Sequence, residues 1–337
     1  MNLGRTVSSL FFFYYLKVIR SSDIVEDIHG AVDSLVLSTV KTVGILMGKK
    51  VEPQNVRFYI STSSKRNVTE IMDTSNPKEI VRSNGNIFFL IHGWSKNMTS
   101  CPWYNALTDV LLEKYSDSQI VMVDWDEIAG ERYPFSAYFA EGVGKCIASL
   151  IELLVQNHRI SLQNIVIIGH SLGGQIAGMI GKYYQASTKT RLPRIIALDP
   201  AAPIFRFRPS TKRLNENDAD AVIVIHSDIF GFGYPKRCGT IDFYPNGGFD
   251  QPGCRRKYST VEEQKDAIWC SHRRCSDIFI ESLKRPLAFM AMKCDSFENY
   301  QKHICDNNEK VSIGDWETSK RGSYYIKITV DLPFIKH

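Results

Sequence analysis

The residues best placed to do chemistry lie in one stretch, Ile165-Val166-Ile167-Ile168-Gly169-His170-Ser171-Leu172-Gly173-Gly174-Gln175. A β-rich run leads into Gly-x-Ser-x-Gly, and a helix-patterned run follows. Glycines on either side of Ser171 allow a sharp strand-to-helix turn that exposes the serine hydroxyl in strained geometry. The backbone N–H of Leu172, at the start of the helix, then faces any oxyanion that develops when that hydroxyl attacks a carbonyl. Three fixed positions of average abundance arise by chance in about one chain in ten of this length. Requiring a strand before and a helix after cuts that figure several-fold.

A serine hydroxyl is a poor nucleophile until a base takes its proton and an acid orients the base. In this motif class the order along the chain is Ser, then acid, then His. Downstream of Ser171 the run Arg194-Ile195-Ile196-Ala197-Leu198 ends in Asp199-Pro200. A carboxylate at the carboxyl end of a parallel strand sits where α/β sheets place their ligands. Four histidines are available as the base: His226, His272, His303 and His337. His226 closes a strand candidate and suits a buried structural role, His303 lies in a polar stretch, and His337 is terminal. His272, inside Cys270-Ser271-His272-Arg273-Arg274-Cys275, is expected on a loop stiffened by flanking disulfides; pattern alone leaves it level with the other three. Upstream, Phe88-Phe89-Leu90-Ile91-His92-Gly93-Trp94 ends a strand in His-Gly-bulky, which suits an oxyanion loop with Trp94 as second N–H donor. His92 precedes the nucleophile and reads as a structural hydrogen-bonding residue.

These residues need a scaffold, and the flanking sequence supplies one. Short β-rich runs at 87–91, 120–125, 165–168, 195–198 and 221–225 alternate with helix-patterned stretches at 103–115, 138–157 and 172–184. Such alternation predicts a mostly parallel sheet with helices on both faces. Residues 56–60 and 324–330 read as further strands, 31–47 and 276–283 as helices. Residues 231–270, rich in Gly, Pro and Cys, read as a long loop excursion. No repeat or low-complexity linker divides the chain, so 23–337 is expected to form one domain.

The 337 residues are 44% hydrophobic and 23% charged, ordinary globular proportions that exclude disorder as the dominant state. A net charge of +5 is mild, and no basic stretch interleaved with aromatics points to nucleic acid. Arg5 ahead of the apolar run Leu10–Leu16 reads as a signal peptide within residues 1–22. No stretch reaches the roughly 20 apolar residues of a membrane span. Eight cysteines without a C-x-x-C zinc pair point to disulfides in an oxidising compartment, and the sequons at Asn67 and Asn97 agree with secretion.

From Val56 to Phe334 the chain resembles the animal pancreatic-lipase family. The matching segments are Ile91-His92-Gly93-Trp94, Val123-Asp124-Trp125, Gly169-His170-Ser171-Leu172-Gly173, Ala197-Leu198-Asp199-Pro200-Ala201, Ile241-Asp242-Phe243-Tyr244-Pro245-Asn246-Gly247-Gly248, Pro252-Gly253-Cys254 and Cys270-Ser271-His272. The resemblance implies an α/β-hydrolase fold with Ser171 as nucleophile, Asp199 as acid and His272 as base. It implies an oxyanion hole at Trp94 and Leu172, a lid closed by Cys254–Cys270, a second disulfide Cys294–Cys305, and no cofactor. Cys101, Cys146, Cys238 and Cys275 are left as buried thiols or as one of three pairings.

Departures from the family pattern shape the expected function. The chain ends shortly after Phe334, so no lipid-binding β-sandwich and no colipase partner are expected. In the family's calcium loop, Arg213 and Asp218 are kept, but Ser210 and Asn215 stand where related lipases carry acids, so no metal is expected. The lid is short: of the 15 residues between Cys254 and Cys270, seven are charged. The expectation is a secreted serine ester hydrolase acting on lipid at a membrane or emulsion surface, most simply an A1-type phospholipase releasing the sn-1 fatty acid. A neutral triacylglycerol or galactolipid lipase is the alternative within the class. A catalytically silent lipid-binding or storage protein, or a serine peptidase on the same fold, is the alternative outside it.

Overall fold

The computed structural model describes residues 23–46, 48, 50–66, 68–80, 84–157, 160–254, 261–330 and 334, with side chains left out at 23–29, 45–46 and 261–268. The expected leader, Asn67, lid residues 255–260 and His337 lie outside the described residues.

Apolar β-branched runs build the centre. Strands β1 (Arg57–Thr62), β2 (Thr69–Glu70), β3 (Ile87–Ile91), β4 (Gln119–Asp124), β5 (Ile165–His170), β6 (Leu192–Leu198), β7 (Ala219–Ile225), β8 (Ile241–Pro245), β9 (Met290–Lys293), β10 (Lys310–Ser312) and β11 (Gly322–Ile326) form one sheet. Its order is β10-β9-β11-β8-β7-β6-β5-β3-β4-β1-β2. From β4 across to β11 every neighbouring pair is parallel, and antiparallel strands finish both edges.

The strands are buried on both faces, which is why they read as unbroken apolar runs. In β5, Ile165 and Ile167 enter one core while Val166 and Ile168 enter the other. Helices α1 (Asp23–Leu46), α4 (Tyr133–Gln156) and α5 (Leu172–Thr188) lie on the first side. On the second side lie α2 (Pro102–Lys114) and α6 (Val261–Lys284). Two short helices, α3 (Asp126–Ala129) and α7 (Phe297–Gln301), complete the set. This is the parallel sheet covered on both faces that the alternation predicts, and the α/β-hydrolase fold that the family resemblance implies.

The topology also chooses the place for chemistry. The chain leaves β3 toward β4 and then crosses back, adding β5 through β8 on β3's other side. The crevice at the carboxyl ends of β3 and β5 is therefore a topological switch point, the usual ligand position in open α/β sheets. Seating α5 there demands close approach. A Cβ on Gly173 would lie 2.2 Å from the carbonyl oxygen of Ile91 at the end of β3.

Two expectations need correction. Residues 231–270 are not a loop excursion throughout, because they contain the parallel strand β8 and the start of α6. The strand was illegible because Asp242 sits in it with no exposure; His226 and the backbone N–H groups of Cys238 and Gly239 satisfy the carboxylate. The helix expected from Ser276 begins at Val261 instead, so His272 is a helical residue. Its charged early turns lack an apolar stripe, and a helix of that composition depends on tertiary anchors, here the Cys254–Cys270 disulfide and the buried Cys275.

Gly173→Ala is expected to destabilise the protein by about 3 kcal/mol or more, since the added methyl meets backbone that cannot step aside. Urea denaturation checks it; a midpoint like that of the wild type would show that β3 and α5 can separate.

Candidate active site

Ser171 occupies the turn between β5 and α5 with φ +58° and ψ −121°, a conformation strained for any residue but glycine. Backbone hydrogen bonds hold it there: its N–H donates to Leu198 (2.9 Å), and its carbonyl accepts from Ala201 (3.0 Å) and Gly174 (2.9 Å). Gly169 makes the turn possible, because a Cβ there would fall 2.2 Å from the Gly173 carbonyl oxygen.

The structure brings Ser171, His272 and Asp199 into one line. The serine hydroxyl lies 2.7 Å from His272 Nε2, and His272 Nδ1 donates to Asp199 Oδ2 at 2.6 Å. All three are buried, Asp199 completely. The other carboxylate oxygen of Asp199 accepts from the backbone N–H groups of Ser227 (2.8 Å) and Asp228 (3.2 Å). The carboxylate thus faces the imidazole Nδ1–H, which fixes the tautomer with its acceptor nitrogen toward Ser171.

The loop after β3 faces Ser171. A Cβ on Gly93 would sit 3.0 Å from Ser171 Cβ and 3.4 Å from its Oγ, so only a bare Cα admits a reacting group between the two. Trp94 is pinned by its indole N–H to the Glu131 carbonyl (2.7 Å) and by an edge-on contact with Tyr133. His92 is fully buried, hydrogen-bonded to the Gly93 carbonyl (2.9 Å) and stacked on Trp125. It shapes the loop, as its place before the nucleophile suggested. Leu172 opens α5, where the first N–H groups have no intrahelical partner. Trp94 and Leu172 therefore flank Ser171 as the expected oxyanion donors. A cleft of about 670 Å³ opens over the site, walled by Trp94, Trp103 and Trp269.

A lipase family profile matches residues 31–330. The chain belongs to the lipase family. It is 36% identical over 255 residues to a phospholipase A1 of Vespa velutina, spanning 72% of this chain and 81% of that one. To lipoprotein lipase of Gallus gallus it is 33% identical over 272 residues, spanning 73% of this chain but only 54% of that one. A probable phospholipase A1, magnifin, of Vespa magnifica is 32% identical over 306 residues, 86% of this chain and 88% of that one.

Several residues around this lipase-family site escaped sequence reasoning. His170, inside the motif itself, donates from Nε2 to the His272 carbonyl at 3.0 Å. Burial, and then the neighbouring His272, push its pKa down to about 3, so it stays neutral and acts as a fixed donor. The thiol of Cys275 reaches the same carbonyl at 3.3 Å. Gln251 bonds to the Ser227 and Pro245 carbonyls through its amide and to Ser271 Oγ through its backbone N–H, tying the residue before His272 to the strand ends. Asp228 brings a carboxylate oxygen within 4.8 Å of both Asp199 and His272. Burial, and next the Asp199 charge, raise its pKa to about 7. Only the x positions of the motif hinted at any of these.

The remaining candidates separate cleanly. Both ring nitrogens of His226 are engaged, with the Tyr234 carbonyl and Asp242, and the ring stacks on Tyr244, so it is structural. His303 is exposed beside Asp306, far along the chain from the cleft residues. Disulfides join Cys254 to Cys270 and Cys294 to Cys305, while Cys101, Cys146, Cys238 and Cys275 are free thiols. The disulfide expected on each side of His272 is thus present on one side only. At the calcium loop, the Lys182 ammonium pairs with Asp218, whose carboxylate also accepts from the Asn215 side chain and backbone. A loop holding its own cation against a single carboxylate does not suit a divalent metal, which wants several oxygen ligands.

Two outcomes follow from this geometry. EDTA is expected to leave ester hydrolysis and melting temperature unchanged; a calcium-restored loss of either would show that a carboxylate site forms despite Lys182. Asp228→Asn is expected to stabilise the protein by about 1–2 kcal/mol at pH 8 relative to pH 4. The native carboxyl keeps its proton between the ordinary 3.8 and about 7, so wild-type stability falls as pH rises across that window and levels off above it. Melting curves of both proteins from pH 4 to 9 check this; a constant gap between them would remove the strained carboxylate.

Proposed function

We propose that this chain hydrolyses carboxylic esters of lipids through Ser171, His272 and Asp199. The observation that carries the reading is the unbroken hydrogen-bonded line from Ser171 Oγ through the His272 ring to Asp199, opening onto an apolar cleft. His272 takes the serine proton as Oγ attacks the ester carbonyl, and Asp199 stabilises the imidazolium that forms. The N–H groups of Leu172 and Trp94 receive the oxyanion. His272 next protonates the leaving alcohol, then activates a water that frees the fatty acid from Ser171. Besides substrate and water, the acid, base and hydrogen-bond donors in these steps are side chains and backbone groups of this chain.

Phospholipase A1 activity is the favoured specificity. The two Vespa phospholipases A1 support it, as do the short, charge-rich lid and the backbone of α6, which takes up residues 261–270 of that lid. Triacylglycerol hydrolysis is the second reading, supported by the likeness to lipoprotein lipase. Secretion is supported by the two disulfides, and no helix among the described residues is long and apolar enough to cross a membrane.

Ser171→Ala is expected to lower ester turnover by about 10⁶ with the fold intact. Near-normal turnover in the folded variant would overturn the nucleophile. On matched emulsions, sn-1 fatty acid is expected from phosphatidylcholine faster than any acid from trioleoylglycerol. Robust triacylglycerol hydrolysis without phospholipid hydrolysis would select the second reading.

A further inference from the structure

The cleft over Ser171 has both aromatic and cationic side chains in its lining. The aromatic ones include Trp94, Trp103 and Trp269, with Trp269 stacked on Phe232 at 4.1 Å. The other lining residues include Lys96 and Arg273, and no lining residue is acidic among those described. These two cations come from separate elements that border the reacting atoms. Lys96 lies two residues past Trp94 on the oxyanion loop, and Arg273 follows His272 on α6. Both line the cleft and are exposed, and Asp277, one turn further along α6, pairs with Arg274 and also feels the Arg273 charge.

A neutral triacylglycerol gives two such cations nothing to pair with, and drawing acyl chains across them costs desolvation. A phospholipid carries a phosphodiester only a three-carbon glycerol away from the sn-1 ester. The geometry points to Lys96 and Arg273 as the residues that hold the substrate phosphodiester while the sn-1 chain lies along the tryptophans. They act as specificity determinants, and the inference rests on the ester-hydrolase reading of this same cleft. Guanidinium offers the phosphate a forked pair of donors and the lysine a point charge. Exposure screens both, so the effect is a preference that salt weakens.

Monomeric short-chain substrates separate this pocket from general adsorption to a charged surface. The ratio of kcat/KM for dihexanoyl phosphatidylcholine over dihexanoylglycerol is measured for the wild type, Lys96→Gln/Arg273→Gln, and the charge-keeping Lys96→Arg/Arg273→Lys. Melting curves verify that all three are folded. The ratio is expected to fall at least about tenfold in the neutral pair and to recover in the charge-keeping pair. Inorganic phosphate is expected to inhibit dihexanoylglycerol hydrolysis by the wild type more than by the neutral pair; inhibition equal in both would place any anion site elsewhere. A wild type that hydrolyses the phospholipid, with a ratio unchanged within twofold in the neutral pair, overturns the inference alone. A wild type that hydrolyses neither substrate overturns the ester-hydrolase reading with it.

Discussion

One buried carboxylate organises the functional end of this molecule. Asp199 has no exposure to solvent, and a lone anion in that position would cost several kcal/mol. Its compensation comes from three directions at once: two backbone N–H groups just beyond β7, and the imidazole of His272 from α6. Each donor fixes the element that carries it. The strand ends of β6 and β7 stay in register, α6 is drawn across the sheet's carboxyl edge, and the His272 ring is left with one nitrogen free to face Ser171. The same contacts that stabilise the charge therefore set the reactive geometry.

The logic recurs around the sheet. His92 with Asp124, His226 with Asp242, and Lys182 with Asp218 each bury polar or charged groups in mutual contact. All three pairs join segments distant in sequence, at the ends or flanks of parallel strands. They act as pins where apolar packing alone would allow the strand-end loops to slide. The Lys182–Asp218 pair places a positive charge of the chain itself inside that loop.

The cleft combines these constraints with an amphiphilic lining. Strain at Ser171, the bare Cα of Gly93 and the fixed Trp94 ring hold the proposed nucleophile and the Gly93–Trp94 loop at close quarters. Preorganisation of this kind is what lets short-lived charge be stabilised without rearrangement. The tryptophans and the two cations of its lining are the features on which the proposed phospholipid preference rests.

Sequence by itself determined the parallel sheet, the elbow at Ser171, and the roles open to Asp199 and Trp94. These features are local: unbroken apolar runs mark strands buried on both faces, and glycines mark turns that exclude side chains. It left the base among four histidines until a family resemblance favoured His272, because a base is defined by whom its ring meets across the fold. The same holds for β8, hidden by a buried Asp242 whose partners lie elsewhere, and for α6, whose charged first turns carry no helical stripe. His170, Gln251 and Asp228 gain meaning only from contacts to residues 20 to 102 positions away. Tertiary structure alone decided these, since a buried polar group can be read only together with the partner that makes its burial tolerable.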